Sequence, residues 1–469
     1  MKAFSFALLL AATLPAFGAI DRSKKPEPDP APAASFPEYR TETLANGLKI
    51  FVIEDDRKPT ITLRLVIRGG SFLDGKKTGT ASFVAGLLNR GTEKRDAATF
   101  AMETDSIGVR VEGMAGDDAI SVSAGGLTKY TDQILDLLAD AVLHPKFPEE
   151  QFARLQRQKL SSLEAEKQQP ESLAGKLFGK VVFGQSPYGD YLTPATVSAI
   201  QREDLVAFHR AHFLPNNASL AIVGDVKADA ILPLIQKTFG SWERGEMKGA
   251  MVNPAPELKG VTIHVVDRPG SVQSNIIVGS TGPARNFPDL PEVNVLTSTL
   301  GGGFSGRLFQ NLREKNGWTY GSSSAFDYKK YAGAFQATAE TRNEVTALAV
   351  TEMLKEVARM REEIAPEPEI ALQRQYNVGN YLLSLENTAR TAQRVQDIDL
   401  YDLPADFYKT YARRMAETTP AKVQELAKKY LTTEDVAVVI VGEAKEIRGG
   451  LEKIGKVVVY DQDLKPVAE

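Results

Sequence analysis

The 469-residue sequence contains no cysteine, four histidines and two tryptophans. Without cysteine there is neither a disulfide framework nor a lipid-modified cysteine. The histidines, His144, His209, His212 and His264, offer few candidates for a catalytic base, and no Ser/His/Asp arrangement stands out. No run of five like charges occurs, and a formal net charge of -4 is too small for this length to recruit nucleic acid or an anionic membrane. Nor is there a carboxylate pair with an evident sugar site. The apolar run from Phe4 to Ala16 falls short of the about 20 residues that cross a bilayer.

That run, preceded by Lys2 and followed by Ala16-Phe17-Gly18, reads as a secretory signal with small residues for cleavage before Ala19. Residues 1–18 are therefore expected to be a signal peptide. Residues 19–38, with Pro26, Pro28, Pro30, Pro32 and Pro37, suit an extended tether, and ordered structure should begin near Tyr39. The expectation is an exported, soluble, periplasmic protein with no membrane association after signal cleavage.

From there the chain reads as strands and helices. Leu48–Ile53 and Ile61–Ile67 are strand-like, a helix follows over Thr80–Asn89, and Val109, Val111, Ile120 and Val122 alternate as half-buried strands. Ile134 to Val142 recur at helical spacing up to His144-Pro145, and a long helix is predicted over Glu149–Glu166. The second half repeats this order. Leu220–Val223 before Gly224 is echoed by Val436–Val441 before Gly442, and the two glycines lie 218 residues apart. Such self-similarity points to duplication. The predicted fold is α+β: two homologous halves, 39–246 and 259–469, joined by a linker at 247–258. Each half is expected to hold two α/β sandwich units with mixed or antiparallel sheets and helices on one face.

Gly79-Thr80-Ala81-Ser82-Phe83-Val84-Ala85-Gly86-Leu87-Leu88-Asn89-Arg90-Gly91-Thr92 resembles the motif-bearing helix of pitrilysin/insulinase-type zinc metallopeptidases, a family that includes mitochondrial-processing-peptidase-like proteins. In that family the segment carries H-x-x-E-H: two histidines one helical turn apart bind zinc, and the glutamate activates the metal-bound water. Here Ser82, Ala85 and Gly86 stand at those three positions. Serine is a poor zinc ligand, alanine carries no base and glycine has no side chain. The family's third ligand is a glutamate on a later helix. The matching spacing lands near Ser162, so Glu164 and Glu166 read as solvated helix surface. The resemblance thus implies no metal of this chain's own.

A second segment, Ser305 to Tyr320, resembles the part of the family that carries a paired Arg and Tyr, here Arg313 and Tyr320. Ser305 is expected to cap a short helix with Leu308, Phe309 and Leu312 facing inward. Asn316-Gly317 should end that helix, and Trp318–Tyr320 should begin a strand. The resemblance implies that this pair binds the scissile carbonyl of a peptide and stabilises its oxyanion. In some bacterial members one subunit holds zinc and another, lacking H-x-x-E-H, supplies the Arg/Tyr pair; this chain looks like the second kind. Its expected partners are a zinc-bearing paralogous subunit and a peptide substrate.

Two other signals carry little. Gly301-Gly302-Gly303-Phe304-Ser305-Gly306 satisfies G-x-G-x-x-G but follows a predicted helix begun by Pro291, where a dinucleotide site needs a strand. It reads as a glycine-rich loop beside the cleft. His209 and His212 sit at i, i+3 on a helix and could reach one metal, yet that helix reads as structural. The competing functions are a protease-independent structural or peptide-holding protein, as a homodimer, and an independent hydrolase with unrecognised metal ligands.

Overall fold

Twelve strands form two six-stranded sheets in the computed structural model, which describes residues 36–247 and 252–467. The first half supplies β1 (Arg40–Thr43), β2 (Lys49–Glu54), β3 (Thr60–Arg68), β4 (Arg110–Ala115), β5 (Ala119–Leu127) and β6 (Ala218–Gly224). The second supplies β7 (Val261–Asp267), β8 (Gln273–Gly282), β9 (Ser322–Tyr328), β10 (Gly333–Arg342), β11 (Val436–Gly442) and β12 (Lys456–Tyr460). The sheet orders are β1-β2-β6-β3-β5-β4 and β12-β7-β11-β8-β10-β9. Apart from the outermost β1 and β12, these are one topology written twice, with β6 parallel to β2 as β11 is to β7.

The α+β class and the repeated halves are as expected from sequence. Two details differ. Each half builds one sheet, where two units per half were expected, because about 200 residues supply only six strands and their covering helices. The helices also do not lie on one face only. Every residue of β6 and of β11 is buried, where a sheet with one wet face would alternate. The second faces are covered by exchange between the halves. The Pro170–Phe183 helix of the first half lays Leu173, Leu177 and Phe178 against Val439, Val441 and Ile277 of the second sheet. In return, the Thr388–Leu400 helix lies on the first sheet, where Thr388 bonds Thr62 at 2.7 Å and Gln396 reaches Arg64 and Ser219.

The two equivalent hairpins also clasp each other. Asp117, in the β4–β5 turn, pairs with Lys329 after β9. Asp118 accepts from the Lys330 backbone N–H at 2.8 Å and from the Tyr188 hydroxyl at 2.5 Å. Burial raises the pKa of Asp118, and these donors oppose the shift.

The signal and most of the tether expected before Tyr39 lie outside the described residues. Order is present three residues earlier than expected: Phe36 is 1% exposed and stacks on Tyr408 with ring centres 5.4 Å apart. No helix among the described residues is long and apolar enough to cross a membrane.

Candidate functional site

The helix predicted over Thr80–Asn89 runs from Thr80 to Leu87. Its first turn is held by the Asp74 carboxylate, which accepts from the N–H groups of Gly79 and Ala81, both at 2.7 Å. Burial nevertheless raises the Asp74 pKa to about 6. Ala85 is buried against β4, and Ser82 and Gly86 face the Glu149–Glu166 helix. A Cβ added at Gly86 would stand 3.2 Å from Leu155 Cδ2, so the helices are already in close contact. At the Ser82 position the neighbour is a lysine: Lys159 donates its ammonium to Ser82 Oγ at 2.9 Å. A hydroxyl, a methyl, a bare backbone and a cation are not a donor set for zinc. The motif positions do not fit the metal.

The downstream carboxylates are where sequence placed them. Glu164 is exposed, and Glu166 accepts from Lys176 at 2.6 Å on its way to solvent. Ser162 is exposed and bonds only loosely to Glu166, at 3.4 Å. Lys159 is the residue that sequence reasoning missed, and the duplication carries the signal that finds it. Pro148 and Pro366 precede matching 18-residue helices, Glu149–Glu166 and Glu367–Ser384, at the 218-residue offset. The same offset carries Lys159 to Asn377. Asn377 donates to Ser298 Oγ at 2.5 Å, on the Leu290–Gly301 helix that answers to Thr80–Leu87. Through these matching bonds, at an offset two residues shorter, Ser82, Ala85 and Gly86 correspond to Ser298, Gly301 and Gly302. Gly301 packs so closely on β9 that a Cβ would lie 2.3 Å from the Ser324 nitrogen, as Ala85 packs on β4.

The Arg/Tyr segment begins after the glycine-rich loop, which joins two helices as expected. Ser305 does not cap the following helix. Gly306 takes that place, and Ser305 Oγ accepts from Gln373 at 2.9 Å. After one α-turn, Arg307–Phe309, the chain widens into a π-helical stretch, Gln310–Lys315. Such widening recurs at functional sites. Buried Asn311 holds it: its amide donates to Glu352 at 2.7 Å and Glu356 at 2.6 Å, and its side-chain oxygen accepts from Asn316 at 2.7 Å. Gly317 ends the turn at φ 65°, a conformation that favours glycine. Leu308, Phe309 and Leu312 are buried as predicted.

Arg313 projects from this stretch with its side chain 41% exposed. Its guanidinium lies 4.8 Å from the Phe309 ring centre and only 3.9 Å, at a loose range, from Glu314. Tyr320 is not on a strand, since β9 begins at Ser322. Thr319 Oγ1 instead donates to the Gly321 carbonyl at 2.6 Å and accepts from its N–H at 3.1 Å. That closed bend turns Tyr320 outward, leaving it 87% exposed. Phe304, at the tip of the glycine-rich loop, is 74% exposed and packs edge-on against Phe309. Arg313 and Tyr320 thus present a cation and a phenol at the surface of a braced segment, with no hydrogen bond between them among the described residues.

The histidines do not gather. His209 Nε2 bonds the Val142 carbonyl at 2.8 Å, and the ring stacks on Phe213; burial lowers its pKa to about 4. His212 leans on Phe208, and burial lowers its pKa as well. Among the described residues no three His, Cys, Asp or Glu side chains stand together in a metal-binding group.

Comparison with known proteins places this architecture. Residues 49–190 match the insulinase family (peptidase family M16), and residues 199–376 match the peptidase M16 inactive domain. An uncharacterized zinc protease of Rickettsia felis is 26% identical over 76% of this chain and 86% of its own length. One from Mycobacterium bovis is 27% identical over 88% of this chain and 96% of its own. Among solved structures, a peptidase M16 inactive domain from Pseudomonas fluorescens superposes with a TM-score of 0.81 at 25% identity, covering 86% of this chain and 98% of that one. A protease from Helicobacter pylori shares the fold at a TM-score of 0.81 and 18% identity, over 86% of this chain and 99% of that one. With family models matched over residues 49–190 and 199–376 and the duplicated sheets shared with solved members, this chain belongs to the insulinase/pitrilysin family, peptidase family M16.

Proposed function

We propose that this chain is the metal-free subunit of a heterodimeric zinc metallopeptidase of the periplasm. It closes a peptide-binding chamber against a paralogue that carries H-x-x-E-H, and it lends Arg313 and Tyr320 to the substrate carbonyl. One contrast carries the reading. The three zinc-motif positions are filled by Ser82, Ala85 and Gly86 and packed against a neighbouring helix and strand, while Arg313 and Tyr320 are braced from beneath and project at the surface. Tyr320 is 87% exposed, so its phenol is open to a ligand. Likeness to the Pseudomonas fluorescens protein, a peptidase M16 inactive domain, supports the reading of a chain without its own zinc.

Chemically, a guanidinium and a phenol are donors suited to the carbonyl oxygen of an extended peptide and to the negative charge it gains on attack. The zinc and its water belong to the paralogue. The direct experiment assays peptide cleavage by this protein, by the paralogue and by their mixture. Turnover confined to the mixture is the expected result. Cleavage by this chain alone, with stoichiometric zinc, would overturn the reading.

A further inference from the structure

Among the described residues, Lys159 carries a charge that no carboxylate of its own fold pairs with. Its ammonium donates to Ser82 and lies 5.7 Å from the Phe83 ring centre, half-buried between two helices. No carboxylate comes within ion-pair distance of it among the described residues. Glu166, the acid whose field reaches it, is held by Lys176. Burial accordingly lowers the Lys159 pKa. An ammonium has three N–H donors, and a partly desolvated cation without an anion is costly to keep.

The second half shows that the helix-to-helix link needs no charge, because Asn377 makes it to Ser298 with a neutral amide. The duplication thus separates two roles at this position. The hydrogen bond to serine ties the helices in both halves, and the positive charge is particular to the first.

We propose that Lys159 and Ser82 form a carboxylate-binding anchor for peptides. The peptide class of the ligand rests on the chamber reading above; the need for an anion rests on the unpaired ammonium. Ser82 Oγ accepts from Lys159, which leaves its own O–H to donate to the same carboxylate. The ammonium and hydroxyl, 2.9 Å apart, then present two donors side by side to two carboxylate oxygens. The carboxylate comes either from a peptide's C-terminus or from an acidic side chain, and both sources share this chemistry.

The test measures binding of three labelled peptides to the full chain without its partner: one with a free C-terminal acid, its C-terminal amide, and the amide with one internal glutamate. The wild type is compared with Lys159→Asn, the solution the second half already uses, and with Lys159→Met. Thermal unfolding confirms that each variant is folded. The expected result is a preference of about tenfold or more for a carboxylate-bearing peptide, weakened by salt and lost in both variants. Preference for the free acid names the chain terminus as the source, and preference for the glutamate peptide names the side chain. Equal binding of all three by the wild type, no binding at all, or a preference that survives Lys159→Asn would overturn the anchor. Those results leave the mixed-complex assay of Arg313 and Tyr320 untouched, so the two readings fail separately.

Discussion

Gln396 and Arg64 grip each other across the halves of the chain: Arg64 donates to Gln396 Oε1 at 2.8 Å, and the Gln396 amide returns a bond to the Arg64 carbonyl at 2.9 Å. The same amide reaches the Ser219 carbonyl at 3.0 Å, and the Gln396 residue is 1% exposed. Beside it, Asp399 accepts from Lys49 at 2.8 Å and from Arg68. The exchanged helix at Thr388–Leu400 is therefore fastened by polar contacts, whereas its counterpart at Pro170–Phe183 is fastened by apolar ones.

The first prediction follows from that fastening. Gln396→Leu leaves the Ser219 and Arg64 carbonyls without this donor and the Arg64 guanidinium without its acceptor. Each lost partner in a buried place costs about 1–3 kcal/mol. Chemical denaturation should show a loss of about 2–4 kcal/mol, and a loss below about 1 kcal/mol would remove Gln396 from the set of contacts that fasten the halves.

Much of this was readable in the sequence, for local reasons. The Glu149–Glu166 helix was bounded correctly because Pro148 fixes its start and acidic residues fill its first turn. The β6 and β11 echo announced the duplication through apolar runs ending in glycine. The exchange of helices was not readable, because a helix's apolar stripe says that it is buried but not against which sheet. Ser305 has the chemistry of a cap, yet Gln373, 68 residues away, takes its hydroxyl instead. Tyr320 follows a strand-like Trp318-Thr319, but the Thr319–Gly321 bend delays the strand to Ser322. Lys159 escaped notice for the same reason as Gln396: its partner is 77 residues distant, and only the aligned halves point to it.

Restoring the lost motif should strain the fold before it recruits metal. At Gly86 even a Cβ meets Leu155 at 3.2 Å, and an imidazole needs more room. Gly86→His is expected to lower stability by about 1–3 kcal/mol through overpacking. Leu155→Ala in the same chain should recover part of that loss, giving a coupling of about 1 kcal/mol in a double-mutant cycle read by thermal unfolding. Additive effects would show that the two helices separate freely there.

Acid should weaken the fold through its buried imidazoles. The folded pKa of His209 is about 4 against 6.5 when unfolded, so the folded state resists a proton that the unfolded chain accepts. Its contribution is present above pH 6.5 and is lost as pH falls through about 4. His264 shifts the same way, also to about 4. Asp74 acts oppositely: with a folded pKa of about 6, its contribution is full below 3.8 and is lost as pH rises through about 6. Comparing wild type with His209→Phe cancels the Asp74 effect. The variant should lose about 1 kcal/mol at pH 7, where Val142 loses its partner, and should show a flatter profile between pH 6.5 and 4. Parallel profiles would mean that His209 does not carry the acid sensitivity.

The Arg/Tyr pair gives the sharpest contrast between activity and stability. Tyr320 is 87% exposed, so Tyr320→Phe should change unfolding free energy by no more than about 0.5 kcal/mol. Arg313→Ala, which removes a loose acidic contact and the contact with the Phe309 ring, should change it by no more than about 1 kcal/mol. In the mixed complex, removing one donor to a developing oxyanion should depress turnover by about 10²–10³. If both donors act on one carbonyl, the double variant should lose less than the product of the two single losses, because residues that act as a unit are not additive. Zinc content and subunit assembly should stay at wild-type values, since Asn311, Glu352 and Glu356 brace the segment without either side chain. Asn311→Ala supplies the complementary case. It removes the amide that holds the π-helical stretch to Glu352 and Glu356, so it should lower both stability and turnover. Unchanged kinetics in Tyr320→Phe and Arg313→Ala, with turnover lost only in Asn311→Ala, would reduce the segment to a structural one.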